Sequence, residues 1–303
     1  MISLSQVCKS FGAIQALQSV DLRISAGEIF GLIGHNGAGK STLFNIMLGL
    51  IRADSGQVAI DGQTIDAHTL LRQKRHIGYL PENIALYDNL TGLETLAFFA
   101  RLKHAAPAQC HELLEQVGLS ASKFRKVREY SKGMKQRLGF AQALLGQPRI
   151  LFLDEPTNGL DPEGIREFYQ TLRQCQQQGT TIVITSHILS EIQQRVDRMA
   201  ILRDGRVQFA GSLADLRKAR NPSLSIFLTL PPHLAEEVHA QLTELLDLPV
   251  SLEGQQIRVI CPTDRKLSLM QQLTALSLPL LDMAMHEASL EELLLATEAF
   301  RHD

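Results

Sequence analysis

The sequence predicts a two-part α/β fold: a parallel-sheet core with an antiparallel β subdomain and an α-helical insert, followed by a small C-terminal α/β module. Three observations carry it. A glycine-rich loop, Gly34–Thr42, stands between an apolar run and a helical pattern, the setting of a strand-to-helix turn. Two short apolar runs, Ile150–Leu153 and Thr181–Thr185, look like strands covered by helices on both faces, as parallel strands are. From Glu94 to Leu145 the apolar residues change to helical spacing.

Taken in order, Met1–Val7 alternates as a strand does, Val20–Ser25 follows, and Glu28–Ile33 runs directly into the glycine loop. Gln57–Ile60 meets Asp61-Gly62, a hairpin turn signal. In the insert, Leu93, Leu96, Ala97 and Ala100 share one helical face, and Leu113, Leu114 and Val117 another. Asp161-Pro162 opens a helix with an N-cap and a first-position proline, and Gly179 closes it. Asp204-Gly205 turns a hairpin from Ala200 to Ala210. Ser212 and Asp215 form a capping box for a short helix running into Asn221-Pro222, where a domain boundary is expected. The first domain then spans residues 1–220, with its helical insert at 83–146, and the second spans 221–303. In the second, Leu224–Leu230 and Gln256–Cys261 read as strands, and His233–Leu246, Lys266–Leu276 and Ser289–Phe300 as helices.

Composition narrows the function. The 303 residues hold 30 basic and 32 acidic side chains, so no net positive field draws the chain to a polyanion, and any phosphate must be held by local geometry. A general nucleic-acid binder is disfavoured. Cys8, Cys110, Cys175 and Cys261 form no C-x-x-C pair, which fits a reducing compartment and argues against zinc or redox motifs. No run approaches the roughly 18 apolar residues of a membrane span, and no signal-peptide pattern opens the chain. A cytoplasmic location is expected.

Gly34-His35-Asn36-Gly37-Ala38-Gly39-Lys40-Ser41-Thr42 fits the phosphate loop G-x-x-x-x-G-K-[ST]. Its glycines let backbone N–H groups close around phosphates, Lys40 neutralises β and γ oxygens, and Ser41 offers a hydroxyl to Mg²⁺. Asp154 and Glu155 end an apolar strand, the second half of such a site. Asp154 is expected to hold Mg²⁺ through water and Glu155 to polarise the attacking water as a general base.

Tyr130-Ser131-Lys132-Gly133-Met134-Lys135-Gln136-Arg137, opening a helix ahead of Asp154, resembles the signature of ATP-binding cassette (ABC) proteins. That family usually shows L-S-G-G-Q here, and this chain departs at Tyr130, Lys132 and Met134. Asn158-Gly159-Leu160-Asp161 resembles the family's D-loop, and Ser186-His187 its switch histidine. The resemblance covers about residues 1 to 215 and implies a nucleotide hydrolase of P-loop fold that binds ATP and Mg²⁺. By it, Ser131 and Gly133 meet the γ-phosphate held by a second copy's loop, so ATP closes a homodimer. His187 contacts the γ-phosphate beside Glu155, Asp161 belongs to the site, and Phe11 stacks on adenine.

In Ile77-Gly78-Tyr79-Leu80-Pro81-Glu82-Asn83 the family usually has glutamine where Glu82 stands. By resemblance Glu82 reaches Mg²⁺ and the water, and as a carboxylate it makes metal binding and insert rotation more strongly coupled. A groove near Glu82, Asn83, Tyr87, Leu90 and Thr91 is expected to receive an integral membrane permease. The wording at Gly34–Lys40, at Gly78–Asn83 and from Tyr130–Met134 through Gln142–Gly146 also resembles the cassette ATPases that serve nitrous oxide reductase maturation. That implies copper-site assembly, a permease and a periplasmic accessory protein. Close relatives serving drug, lipid or polysaccharide exporters share Glu82, and a cassette ATPase of metal-cluster assembly without a permease is the rival from another class. Met283, Met285 and His286 have spacing compatible with copper ligation, but methionines at i and i+2 fit one face of a buried strand better.

Overall fold

The computed structural model describes residues 2–65, 73–188, 192, 195–220 and 223–287. The chain divides into two units, Met1–Leu213 and Ala214–Asp303, so the contact boundary falls at the start of the helix Leu213–Arg220. The expected boundary dipeptide Asn221-Pro222 and the expected helix Ser289–Phe300 lie outside the described residues, as does Met1 of the first expected strand.

In the first unit a six-stranded sheet runs in the order Arg206–Gly211, Arg198–Arg203, Ile29–Ile33, Thr181–Ser186, Ile150–Asp154, Ile77–Leu80. Every neighbouring pair is parallel except the Asp204-Gly205 hairpin at the edge. Ile29–Ile33 is buried throughout, and Thr181–Ser186 likewise, because both faces of a parallel sheet are covered. The register sets the site: Ile33 pairs with Ser186, and Thr185 with Asp154. The phosphate loop, Asp154 and His187 therefore leave neighbouring strands at their carboxyl ends, where α/β sheets place ligands.

A second, antiparallel sheet joins Ile14–Ile24, Ile2–Phe11, Ser55–Ile60 and Gln63–Thr64 in that order. Its strand Ile14–Ile24 begins six residues before the alternation at Val20, across two register shifts that hide the pattern. Ile2, Leu4, Val20 and Ile24 share one core with Phe30, Phe44 and Phe152. The Phe44 ring meets that of Phe152 edge-to-face at 5.2 Å, pinning the helix Lys40–Met47 to the sheet.

The insert is helical at Gly92–Lys103, Gln109–Gln116 and Lys132–Leu144. Thr91 opens the first by a capping box: its hydroxyl accepts from the Glu94 amide at 3.2 Å, and the Glu94 carboxylate accepts from the Thr91 amide at 2.8 Å. Its far end is fastened by Lys103, whose ammonium donates to the carbonyls of Ile77 at 3.0 Å and Leu145 at 3.3 Å.

Among its described residues from Ser223 on, the second unit runs β-α-β-β-α-β, with antiparallel strands in the order Val250–Glu253, Gln256–Pro262, Ser223–Thr229, Asp282–Glu287, a ferredoxin-like arrangement. Leu224, Ile226, Leu228, Ile257, Val259 and Cys261 share a separate core with Val238 and Leu242 of the helix Ala235–Leu245 and Leu269 and Leu273 of the helix Lys266–Ala275. Met283 and Met285 pair with buried Leu228 and Ile226, yet they remain 39% and 44% exposed. The expectation of a buried strand is thus corrected. Asp282–Glu287 is the sheet edge, and the two helices contact the Val250–Pro262 side. Among the described residues no helix is long and apolar enough to cross a membrane.

Candidate functional site

The loop after Ile29–Ile33 keeps its shape because two of its glycines cannot be replaced. Gly39 caps the helix Lys40–Met47 at φ 103°, and a Cβ there would sit 2.6 Å from the Ala16 carbonyl. Gly34 passes so near Leu202 that a Cβ would lie 2.4 Å from its carbonyl oxygen. Ala38 is fully buried, and its carbonyl accepts from the Gly205 amide at 3.1 Å, so the Asp204-Gly205 turn buttresses the loop. Lys40 is 7% exposed, and its ammonium donates to the carbonyls of Gly34 and His35. Burial pushes its pKa down, while Glu155, Asp154 and Glu82 oppose that shift. The His35 ring lies 2.8 Å from the Asn36 carbonyl.

Beside the loop, one hydroxyl organises both carboxylates. Thr185 Oγ1 donates to Asp154 at 2.6 Å and accepts from the Glu155 amide at 2.9 Å. Glu155 has φ 47°, a left-handed conformation for a non-glycine residue, and this turns its side chain out of the strand's alternation. Its carboxylate, on a residue only 8% exposed, lies 2.8 Å from His187 Nδ1. With the carboxylate as acceptor, Nδ1–H is the donor and Nε2 is left to face the cleft. Burial raises the Asp154 pKa and nearby Glu82 adds to the rise, against the Thr185 hydrogen bond and the charge of Lys40.

These groups line one open cleft of about 500 Å³: Asn36, Gly37, Gly39, Lys40, Ser41, Thr42, Glu82, Asp154, Glu155 and His187. Ile14, Gln15, Ala16, Gln18, Asp204 and Gly205 line it as well, and motif reading missed them. The Gln18 side-chain amide donates to the Asp204 carbonyl at 3.1 Å, tying that hairpin to Ile14–Ile24. Thr185 was missed too. The only sequence signal for either is position at a strand end or turn.

Other expected site residues stand outside the cleft lining. Phe11 is 48% exposed at the end of its strand with the Lys9 ammonium 5.3 Å from its ring centre, and its cross-strand partner Ile14 is the one that lines the cleft. Ser131 caps the helix Lys132–Leu144, its hydroxyl accepting from the Met134 amide at 3.2 Å, with Gly133 in the first turn. Asp161 caps the helix Pro162–Gln177 by accepting from the Gly164 amide at 3.1 Å.

A family model described as ABC transporter matches residues 17–158. The ABC transporter ATP-binding protein YhcH of Bacillus subtilis is 34% identical over 293 residues, covering 96% of this chain and 95% of that one. The chain belongs to the ABC transporter family. Within it, the linearmycin resistance ATP-binding protein LnrL of Bacillus subtilis is 32% identical over 303 residues, covering 97% of each chain. The ATP-binding cassette MJ0796, solved as a dimer in a post-hydrolysis state with ADP and Pi, superposes with a TM-score of 0.65 at 29% identity, covering 70% of this chain and 99% of that one. This ABC protein is accordingly an ATP hydrolase of P-loop α/β fold.

Proposed function

We propose that the chain is the motor of an ABC exporter. Two copies sandwich two ATP molecules and pull on a separate membrane permease from its cytoplasmic side. The observation that carries this is the joining of Lys40, Asp154, Glu155 and His187 in one cleft, with Ser131 and Gly133 on a helix outside it. A phosphate chain on Lys40 then needs a second copy's Ser131 and Gly133 to complete its contacts. Loop amides and Lys40 hold the β and γ oxygens. Glu155 takes up a proton from the attacking water, and His187, as an imidazolium with Nδ1–H on Glu155, donates Nε2–H to the γ-phosphate. Phe11 and Ile14, exposed at the same turn, supply apolar surface for adenine.

Ser41, Glu82 and Asp154 offer only oxygen donors to that cleft, and Glu82 helps to raise the Asp154 pKa, so the pair stands to gain from a cation. This set fits Mg²⁺, which takes few protein ligands and completes its shell with phosphate and water. Bound there, Mg²⁺ neutralises phosphate charge.

The permease surface we infer lies on the insert. Tyr87 is 55% exposed and meets Phe98, itself 40% exposed, edge-to-face at 5.7 Å, while Leu102 is 63% exposed. Leu90 is half-buried, so it supports the patch more than it presents it. The full-length likeness to the linearmycin resistance protein favours a drug as cargo. The narrower reading, maturation of the nitrous oxide reductase copper site with a periplasmic protein, rests on local wording alone. Among the described residues no group of three or more His, Cys, Asp and Glu is placed to hold a metal. The deciding experiment is purification of the tagged chain from membranes. A multi-span partner whose vesicles hydrolyse ATP faster with linearmycin, and not with Cu(I), supports drug export. Only non-membrane partners overturn the motor reading.

A further inference from the structure

We propose that Gln136 is a positioning residue. It ties the helix that carries Ser131 and Gly133 to the turn that carries Glu155, so that ATP bound on one side of the dimer sets the general base on the other. The proposal rests on the sandwich reading above.

Gln136 lies one turn into the helix Lys132–Leu144 and is 4% exposed, an unusual burial for a glutamine. Its side-chain amide donates to the Pro156 carbonyl at 2.8 Å. Pro156 directly follows Glu155, and its ring fixes its own φ, so a shift of that carbonyl is passed to the Glu155 backbone. On its other side Glu155 is held to the sheet by Thr185 and His187. The general base thus hangs between the sheet and the Ser131 helix.

Three further contacts stiffen the link. The methylene stem of Lys132 lies over Gly159, where a Cβ would be 2.8 Å from Lys132 Cδ, and a Cβ on Gly133 would be 3.0 Å from the Gly159 carbonyl. Arg137 pairs with Glu167 at 2.7 Å on the helix Pro162–Gln177. The helix is thus joined to the segment after Glu155 at Pro156, Gly159 and Glu167. In the sandwich, Ser131 and Gly133 feel the γ-phosphate on the partner's loop, while Glu155 of the same copy acts on the ATP in its own loop. Gln136 connects the two.

The test compares the full-length chain with Gln136→Met, which keeps length and volume and removes the donor. Hydrolysis by the original chain is expected to rise with ATP at a Hill coefficient of about 2, and by the variant at about 1. The variant's kcat should fall about tenfold, since sub-ångström misplacement of a base is costly. With Glu155→Gln added to each, ATP-driven dimerisation should agree within about twofold, because the sandwich contacts are untouched. An unchanged Hill coefficient, or loss of dimerisation together with activity, overturns the link. Should Gln136→Met fail to fold, Lys132→Ser removes the stem over Gly159 from an exposed side chain, and it too must lower the Hill coefficient for the proposal to stand. A Glu155→Gln chain that stays monomeric with ATP refutes the sandwich itself, whereas a cooperative dimer unaffected by either substitution refutes only the link.

Discussion

Thr185 holds Glu155 in place: its hydroxyl accepts from the Glu155 amide at 2.9 Å, and its proton goes to Asp154 at 2.6 Å. The residue is fully buried, so both bonds form away from water. Thr185→Val keeps the shape and leaves the amide and the carboxylate unpaired. We expect kcat for ATP hydrolysis to fall about 10- to 100-fold and stability by about 1–3 kcal/mol. Steady-state phosphate release and urea unfolding measure the two effects. A variant with normal kcat removes Thr185 from the mechanism.

Glu155→Gln tests the general base itself. The amide keeps the side chain's size and a contact to His187 but cannot take up a proton. Hydrolysis should drop by about 10²–10⁴, the range of general base catalysis, with ATP affinity nearly unchanged. ATP should then accumulate a dimer visible by light scattering. Turnover within a few-fold of the original would assign the base elsewhere.

The loop, Asp154, Glu155 and His187 were legible because each lies in a short contiguous string whose chemistry is carried by residue type. Thr185 was not, since its role exists only once strands thirty residues apart fall into register. The same holds for Ala16 and Gly205, which buttress the loop through backbone atoms that any residue has. In the second unit Val250–Glu253 escaped notice because four residues give too little alternation. Met283 and Met285 alternate as a buried strand does, but alternation reports which face a residue takes, and only topology reports that the strand is an edge.

Glu82 faces Asp154 closely enough to raise its pKa, so replacing it by Gln should ease that repulsion. In Glu82→Gln, ATP binding by the isolated chain should persist. Stimulation of hydrolysis by the permease should change, because the residue stands where the sheet meets the insert. Comparing ATPase rates with and without the permease in vesicles checks this, and identical stimulation sinks it.

The two units have separate cores, and the ABC transporter family match, residues 17–158, falls within the first. A chain ending at Arg220 should fold and keep ATP hydrolysis within about threefold, as an independent domain does. Loss of soluble expression would show instead that the second unit supports the first.

Lys103 gives a pH signature. Burial pushes its pKa from 10.5 down to about 8, because the ammonium is held under the insert, where its bonds to the Ile77 and Leu145 carbonyls only partly replace water. Below about pH 8 the group is charged in folded and unfolded chains alike, and the folded chain bears the cost of burying that charge. Between about 8 and 10.5 the folded chain has released the proton while the unfolded chain still holds it. The unfolded state then binds more protons, so this group's contribution to stability rises with pH across that window and levels off above it. Lys103→Met lacks the titration. In urea unfolding followed by circular dichroism, the original chain should therefore gain stability relative to Lys103→Met as pH is raised from about 7 to about 10. All other groups titrate equally in both proteins, so their effects cancel in the difference. Parallel curves across that range would mean that the Lys103 ammonium is as well solvated in the fold as in the open chain, and that the insert is fastened to the sheet without it.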